Sequence, residues 1–235
     1  MDFNQPAFWL AIGQIIWINI LLSGDNAVVI AMACRTLPPR ARLWGMILGA
    51  GLAVGLRIIF TGIVTTLMGI PYLKAAGAVA LFYIAIDLVR PKSEDVQDSV
   101  GAADTLWRAM MTIAVADVVM SLDNVIAIAA VARGSWLLLI IGLGISIPMI
   151  IAGSAIIMAL LDRMPVLVWA GAGLLGWIAG ELLVTDVGVI AQLGAETAHR
   201  LEIPAAIAGA LFVVAVGWLL VYGRRRNAVA SKEAE

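Results

Sequence analysis

Leu22-Ser23-Gly24-Asp25-Asn26-Ala27-Val28-Val29-Ile30-Ala31 lies in an apolar run from Ala7 to Ala33. A close copy, Ser121-Leu122-Asp123-Asn124-Val125-Ile126-Ala127-Ile128-Ala129, lies in a second run from Leu106 to Val131. The copies stand 98 residues apart, and at that offset Asn19 falls opposite Asp117 and Arg35 opposite Arg133. Further on, Pro71, Gly77, Tyr83, Ala85 and Asp87 match Pro165, Gly171, Trp177, Ala179 and Glu181 at an offset of 94. An internal repeat identifies an architecture before any site is argued. Each copy holds three apolar runs, an odd number, so the second copy enters a membrane upside down relative to the first.

Composition agrees with a membrane setting. Of 235 residues 63% are hydrophobic and 13% charged, and the mean hydropathy is +1.02, which excludes an ordinary soluble globule. A span needs about 20 residues, so roughly seven fill the chain and leave no separate soluble domain. The expected fold is all-α, a polytopic membrane protein with seven transmembrane helices built as two inverted three-helix repeats plus one extra helix. The runs predict helices at Ala7 to Ala33, Leu43 to Met68, Tyr72 to Val89, Leu106 to Val131, Trp136 to Leu161, Val166 to Val184 and Pro204 to Tyr222. Repeat one then covers about 7–89, repeat two about 106–184 and the seventh helix about 204–222, all in one transmembrane domain of about 1–222 with a short cytoplasmic tail at 223–235. The first run is too long for a signal-peptide core and has no basic segment before it. Arg90 to Trp107, with Glu94, Asp95, Asp98 and Asp104, reads as a solvated linker, and Thr185 to Ile203 holds the single histidine, His199.

A net charge of −1 removes the basic footprint of a nucleic-acid binder, and a single cysteine, Cys34, excludes an intrachain disulfide framework or a Cys-rich metal site. Basic residues in short loops stay on the cytoplasmic side. With the N-terminus outside, the inner side collects Arg35, Arg40, Arg42, Arg90, Lys92, Arg108, Arg163, Arg224, Arg225, Arg226 and Lys232, and the outer side only Lys74, Arg133 and Arg200. Seven spans put the C-terminus in the cytoplasm.

Asn19, Ser23 and Asn26 share one helical face, as do Asp117, Ser121 and Asn124. Asp25 and Asp123 sit about 100° around from the last member of each stripe. A carboxylate within a span costs about 2.5–3.5 kcal/mol on the insertion scale, a cost that Asp25, Asp117 and Asp123 each carry. Asp87 and Glu181 lie nearer span ends. Interhelical hydrogen bonding accounts for Ser23, Ser121 and Asn19 as well as a binding role does, but an ionisable Asp is an expensive substitute for an amide. Arg57 reads as a counter-charge for one of the carboxylates. Carboxylate, amide and hydroxyl oxygens are hard donors suited to Mg²⁺, Ca²⁺ or Mn²⁺. Met32 and Met120 nearby read as packing residues, with a thioether ligand as the alternative. Reprotonation of the carboxylates on release offers a route to proton exchange.

The paired segments at 22–31 and 121–129 resemble the signature of the TerC family of integral membrane proteins, most closely its YjbE-like bacterial branch, and the resemblance runs from the first span to Tyr222. It implies a seven-helix bacterial inner-membrane protein, not an enzyme, that exports manganese. It also implies a cation path lined by Asp25, Asn26, Asp123 and Asn124; the polar stripes and the repeat add Asn19, Ser23, Asp117, Ser121, Asp87 and Glu181 as a second tier along it. The metal is cargo and no resident cofactor is implied; the expected partners are the divalent ion, protons and the bilayer, with the oligomeric state open. Two other classes remain. An intramembrane aspartyl protease needs a Gly-x-Gly-Asp context, which Leu22-Ser23-Gly24-Asp25 and Ser121-Leu122-Asp123 lack. A non-transporting scaffold or assembly factor for other membrane proteins is compatible with the same residues.

Overall fold

A computed structural model describes residues 9–10, 12–14, 17, 24–90, 102–132 and 136–232. The elements within them are all helical: α1 (Gly24–Cys34), α2 (Pro39–Met68), α3 (Leu73–Val89), α4 (Ala102–Ala132), α5 (Trp136–Arg163), α6 (Val166–Val184), α7 (Val187–Leu193) and α8 (Ala195–Lys232). Among the described residues three stretches are long and apolar enough to cross a membrane, Pro39–Thr61 of α2, Val166–Val184 and Ala195–Gly223 of α8, while α1 is a shorter apolar helix.

Proline and glycine set most of the boundaries. α2 carries proline in its first turn, where the missing N–H is not needed, and ends at Gly69. The chain then turns through Tyr72, whose φ of 65° is in the left-handed region, and α3 begins at Leu73. Two expectations are corrected. The linker expected at Arg90 to Trp107 is shorter, because α4 already starts at Ala102. The last helix starts at Ala195 rather than Pro204 and continues through the expected tail to Lys232, with Pro204 inside it and the break before it at Gly194, φ 83°. Its first turns are polar, with Arg200 on Glu196 at 2.6 Å and His199 on Glu202 at 3.1 Å, so an apolar-run criterion passes over them. Lys74, expected in an outer connection, is buried in the first turn of α3.

α1 packs on α4 and α5, α2 packs on the same two helices, and α3 packs on α6. Leu81, Ile113, Leu143 and Leu175 fill the interior, whereas Trp44, Tyr83, Ile156, Leu211 and Trp218 face outward, as lipid-facing side chains do. Gly77 of α3 lies against Val119 of α4, and its repeat partner Gly171 of α6 lies against Val28 and Met32 of α1. Each glycine therefore seats its helix on a helix that carries one copy of the Asp-Asn motif.

The tightest seam joins α6 to α8. A side chain at Gly180 would run into the Ala205 carbonyl, and one at Gly176 into the Gly209 carbonyl. Four-residue spacing of small residues on both helices lets the backbones meet, the usual basis of close helix pairing in lipid. Gly180→Leu is expected to separate α8 from the bundle, seen as a lower melting temperature and new protease cleavage. Gly173→Ala, whose added carbon would meet only Val214 at 3.6 Å, should be tolerated. Wild-type stability in Gly180→Leu would contradict this packing.

Asp186 fastens the chain just beyond the C-terminal end of α6. It caps α7 through Gly188 N–H (2.7 Å) and Val189 N–H (3.3 Å), and it also accepts from Tyr72 N–H (2.8 Å) and Ala75 N–H (3.2 Å) at the start of α3. Gln192 Nε2 donates to the Tyr72 hydroxyl at 2.8 Å beside it. Burial alone would raise the Asp186 pKa, but the four backbone donors together outweigh it and hold the carboxyl below its ordinary 3.8. A depressed native pKa gives stability that is complete above the unfolded value and lost as pH falls through the native one. Asp186→Ala should cost at least the roughly 1 kcal/mol of a lost helix cap at neutral pH. Its melting deficit relative to wild type should shrink as pH drops below 3.8; a deficit independent of pH would contradict the carboxylate's role.

Candidate functional site

Where α1, α2 and α4 meet, their polar residues converge in an apolar interior. Arg57 of α2 is fully enclosed, and its Nη2 donates to Asp117 Oδ1 of α4 at 2.9 Å, with Asp117 only 3% exposed. Ser121, one turn further along α4, donates to Asp117 Oδ2 at 3.1 Å and accepts from Arg57 Nε at 3.3 Å. Guanidinium, carboxylate and hydroxyl thus form a closed ring. Burying two charges is expensive, and the ring recovers that cost by matching opposite charges and hydrogen-bonding both carboxylate oxygens. Thr61 Oγ1 returns to the Arg57 carbonyl at 2.7 Å, tying its own side chain into the helix one turn further on.

Beside the ring lies a narrow, tightly packed crevice lined by Asn26, Val29, Ile30, Ala53, Ile113 and Asp117. Asn26, from the first copy of the motif, and Asp117, from the polar stripe of the second, therefore share one wall. Asp25 is half-buried at the start of α1 and accepts the Asn26 N–H at 2.8 Å. It lies within electrostatic reach of both Arg57 and Asp117. The Arg57 guanidinium is already paired with Asp117, whereas Asp25 beside it forms no ion pair among the described residues.

The other expected residues fall in different places. Asp123 and Asn124 belong to α4, about a turn and a half beyond Asp117, with their side chains outside the described residues, as Asn19 and Ser23 are entirely. Asp87 in the last turn of α3 is half-buried, Glu181 near the end of α6 is exposed, and neither lines the crevice. Met32 is buried with its sulfur against Gly171, a packing contact. Among the described residues no three His, Cys, Asp or Glu side chains converge as a ready metal cluster. Sequence reasoning passed over Ser154, a hydroxyl completely buried in α5; a lone serine in an apolar run carries no signal unless the two repeats are set in register.

Comparison with known proteins gives a family match over almost the full length: residues 4–228 fit the model described as "Integral membrane protein TerC family". The chain is 44% identical over 172 residues to the uncharacterized membrane protein YjbE of Bacillus subtilis, covering 73% of this chain and 78% of that one. It is 28% identical to the uncharacterized membrane protein YceF of the same organism, covering 75% and 71%. A third B. subtilis membrane protein, YkoY, also uncharacterized, is 23% identical over 99% of this chain and 80% of its own. No solved structure matches.

Proposed function

Because the chain belongs to the TerC family of integral membrane proteins, we propose that it is a secondary transporter exporting a divalent cation, manganese in particular, from the bacterial cytoplasm. The observation that carries this reading is the shared crevice, which places Asn26 of the first motif and Asp117 of the second polar stripe on one wall with Asp25 nearby. The cation path is assigned to Asp25, Asn26, Asp123 and Asn124, a set of hard oxygen donors with charge to match a divalent ion. Arg57 keeps Asp117 neutral in effect and holds α2 against α4.

The packing also supports an inverted repeat of two three-helix units within seven spans. Exchanging α1, α2 and α3 with α4, α5 and α6 leaves the main contacts unchanged, since α1–α5 becomes α4–α2 while α1–α4, α2–α5 and α3–α6 map onto themselves. A pseudo-twofold axis in the membrane plane has this effect, and in such transporters the substrate sits near the midplane between the repeats. The excess of Lys and Arg on one side supports an inner-membrane topology with the N-terminus outside and the Arg224-Arg225-Arg226 tail in the cytoplasm. Ion release coupled to protonation of Asp25 and Asp123 accounts for exchange against protons.

Expression in a bacterium stripped of its own manganese exporters tests the proposal. The transporter should lower cell manganese and restore growth in high manganese. Unchanged manganese content with the protein correctly inserted would leave the scaffold reading in its place.

A further inference from the structure

Ser154 Oγ in α5 is completely buried and has no hydrogen-bond partner among the described residues. A hydroxyl on a helix ordinarily returns to the carbonyl one turn back, as Thr61 does to Arg57, Thr112 to Arg108 and Thr185 to Glu181 in this same protein. A native polar group left unsatisfied calls for a specific cause, and an ion or water at the site is one such cause.

The register of the two units supplies an independent pointer. The stripe Met46, Ala50, Ala53, Val54 and Arg57 on α2 is buried, and the residues 97 further on, Leu143, Ile147, Ile150, Ile151 and Ser154 on α5, are buried or half-buried in the same order. Ser154 thus holds the place of Arg57. In the first unit that place serves the motif helix of the other unit, where Arg57 meets Asp117 and Ser121 of α4. In the second unit α5 packs on α1, and a side chain at Gly153, adjacent to Ser154, would lie 3.6 Å from the Ala27 side chain, next to Asn26. The guanidinium of Arg57 neutralises the carboxylate it meets. A hydroxyl in the same place on α5 brings no charge, so it neutralises no carboxylate and offers a neutral hard oxygen.

We propose that Ser154 Oγ is a ligand of the transported divalent cation, donating a hydroxyl lone pair from α5 to an ion whose charge is met by Asp25 on α1. The proposal rests on the transport reading above. It also makes the two halves of the repeat unequal: Arg57 holds Asp117 in a permanent ion pair, whereas Ser154, in the matching place, keeps its hydroxyl for the substrate.

Equilibrium Mn²⁺ binding to the purified full-length protein in detergent, followed by the electron paramagnetic resonance of free Mn²⁺, tests this alongside metal-free melting temperatures. Ser154→Ala should weaken Mn²⁺ binding about tenfold while leaving the metal-free melting temperature unchanged or higher, because an unsatisfied hydroxyl has been removed. Ser154→Cys should move preference from Mn²⁺ toward Cd²⁺, since a sulfur donor favours the softer ion. Wild-type Mn²⁺ affinity in Ser154→Ala, or Ser154→Cys with an unaltered Mn²⁺ to Cd²⁺ preference, overturns the assignment of Ser154. If Asp25→Asn abolishes binding in the same experiment, the transport reading survives that loss; absence of Mn²⁺ binding by the wild-type protein overturns both.

Discussion

Arg57→Met is expected to lower the melting temperature sharply and to cut the yield of folded protein. Arg57 is fully enclosed and its partner Asp117 is 3% exposed, so removing the guanidinium leaves a carboxylate with no counter-charge in a medium that cannot solvate it. Breaking a buried ion pair from one side typically costs about 3–5 kcal/mol, a large part of the stability of any domain. Ser121 can still donate to Asp117 Oδ2, but one hydroxyl does not replace a charge. Asp117→Leu should be equally damaging, because it strands the arginine. The double variant Arg57→Met with Asp117→Leu should regain most of the loss, since well-packed apolar residues often replace a buried pair without penalty. Thermal unfolding of the four proteins in one detergent checks this. Additive losses in the double variant would contradict a direct coupling between the two residues.

Asp123→Asn should abolish manganese export with little change in folding. Asparagine is nearly isosteric with aspartate yet cannot ionise, so the change separates packing from charge. Asp25→Asn should behave the same way, because Asp25 enters no salt bridge among the described residues and its bond to the Asn26 N–H can be made by an amide oxygen. The double variant should be little worse than either single one, as each alone leaves too little negative charge to dehydrate the ion. If the carboxylates served only to bond helices, an amide would do that work and export would stay near normal. Manganese sensitivity of cells expressing equal amounts of each variant, with total cell manganese, reads the difference.

Much of the fold was legible because apolar runs end at charges, prolines and glycines. Val166 to Val184 matches α6 at both ends, and Tyr72 to Val89 differs from α3 by one residue. The misses have two causes: α7 is apolar but only seven residues long, too short to stand out as a span, and the first turns of α8 are helix without being apolar; their cue was the Thr185-Asp186 pair ahead of a turn and the Gly194 break. The α6–α8 seam was readable in principle from the four-residue spacing of Gly176 and Gly180, although nothing in the chain says which helix they meet. At the site, the repeated Asp-Asn motif stood out because ionisable groups are rare in apolar runs. That Arg57 would choose Asp117 over Asp25 or Asp123 was not legible, since the choice depends on how α2 lies on α4. Ser154 became meaningful only once burial showed its hydroxyl without a partner and the register put it in the place of Arg57.

Manganese flux in proteoliposomes holding either the wild-type protein or Asp25→Asn, at matched density and with an imposed proton gradient, tests the central claim most directly. Saturable flux with the wild-type protein, and flux at the level of empty vesicles with Asp25→Asn, is the predicted result. Equal flux from the two proteins, or none from the wild type, would contradict transport through the Asp-Asn site.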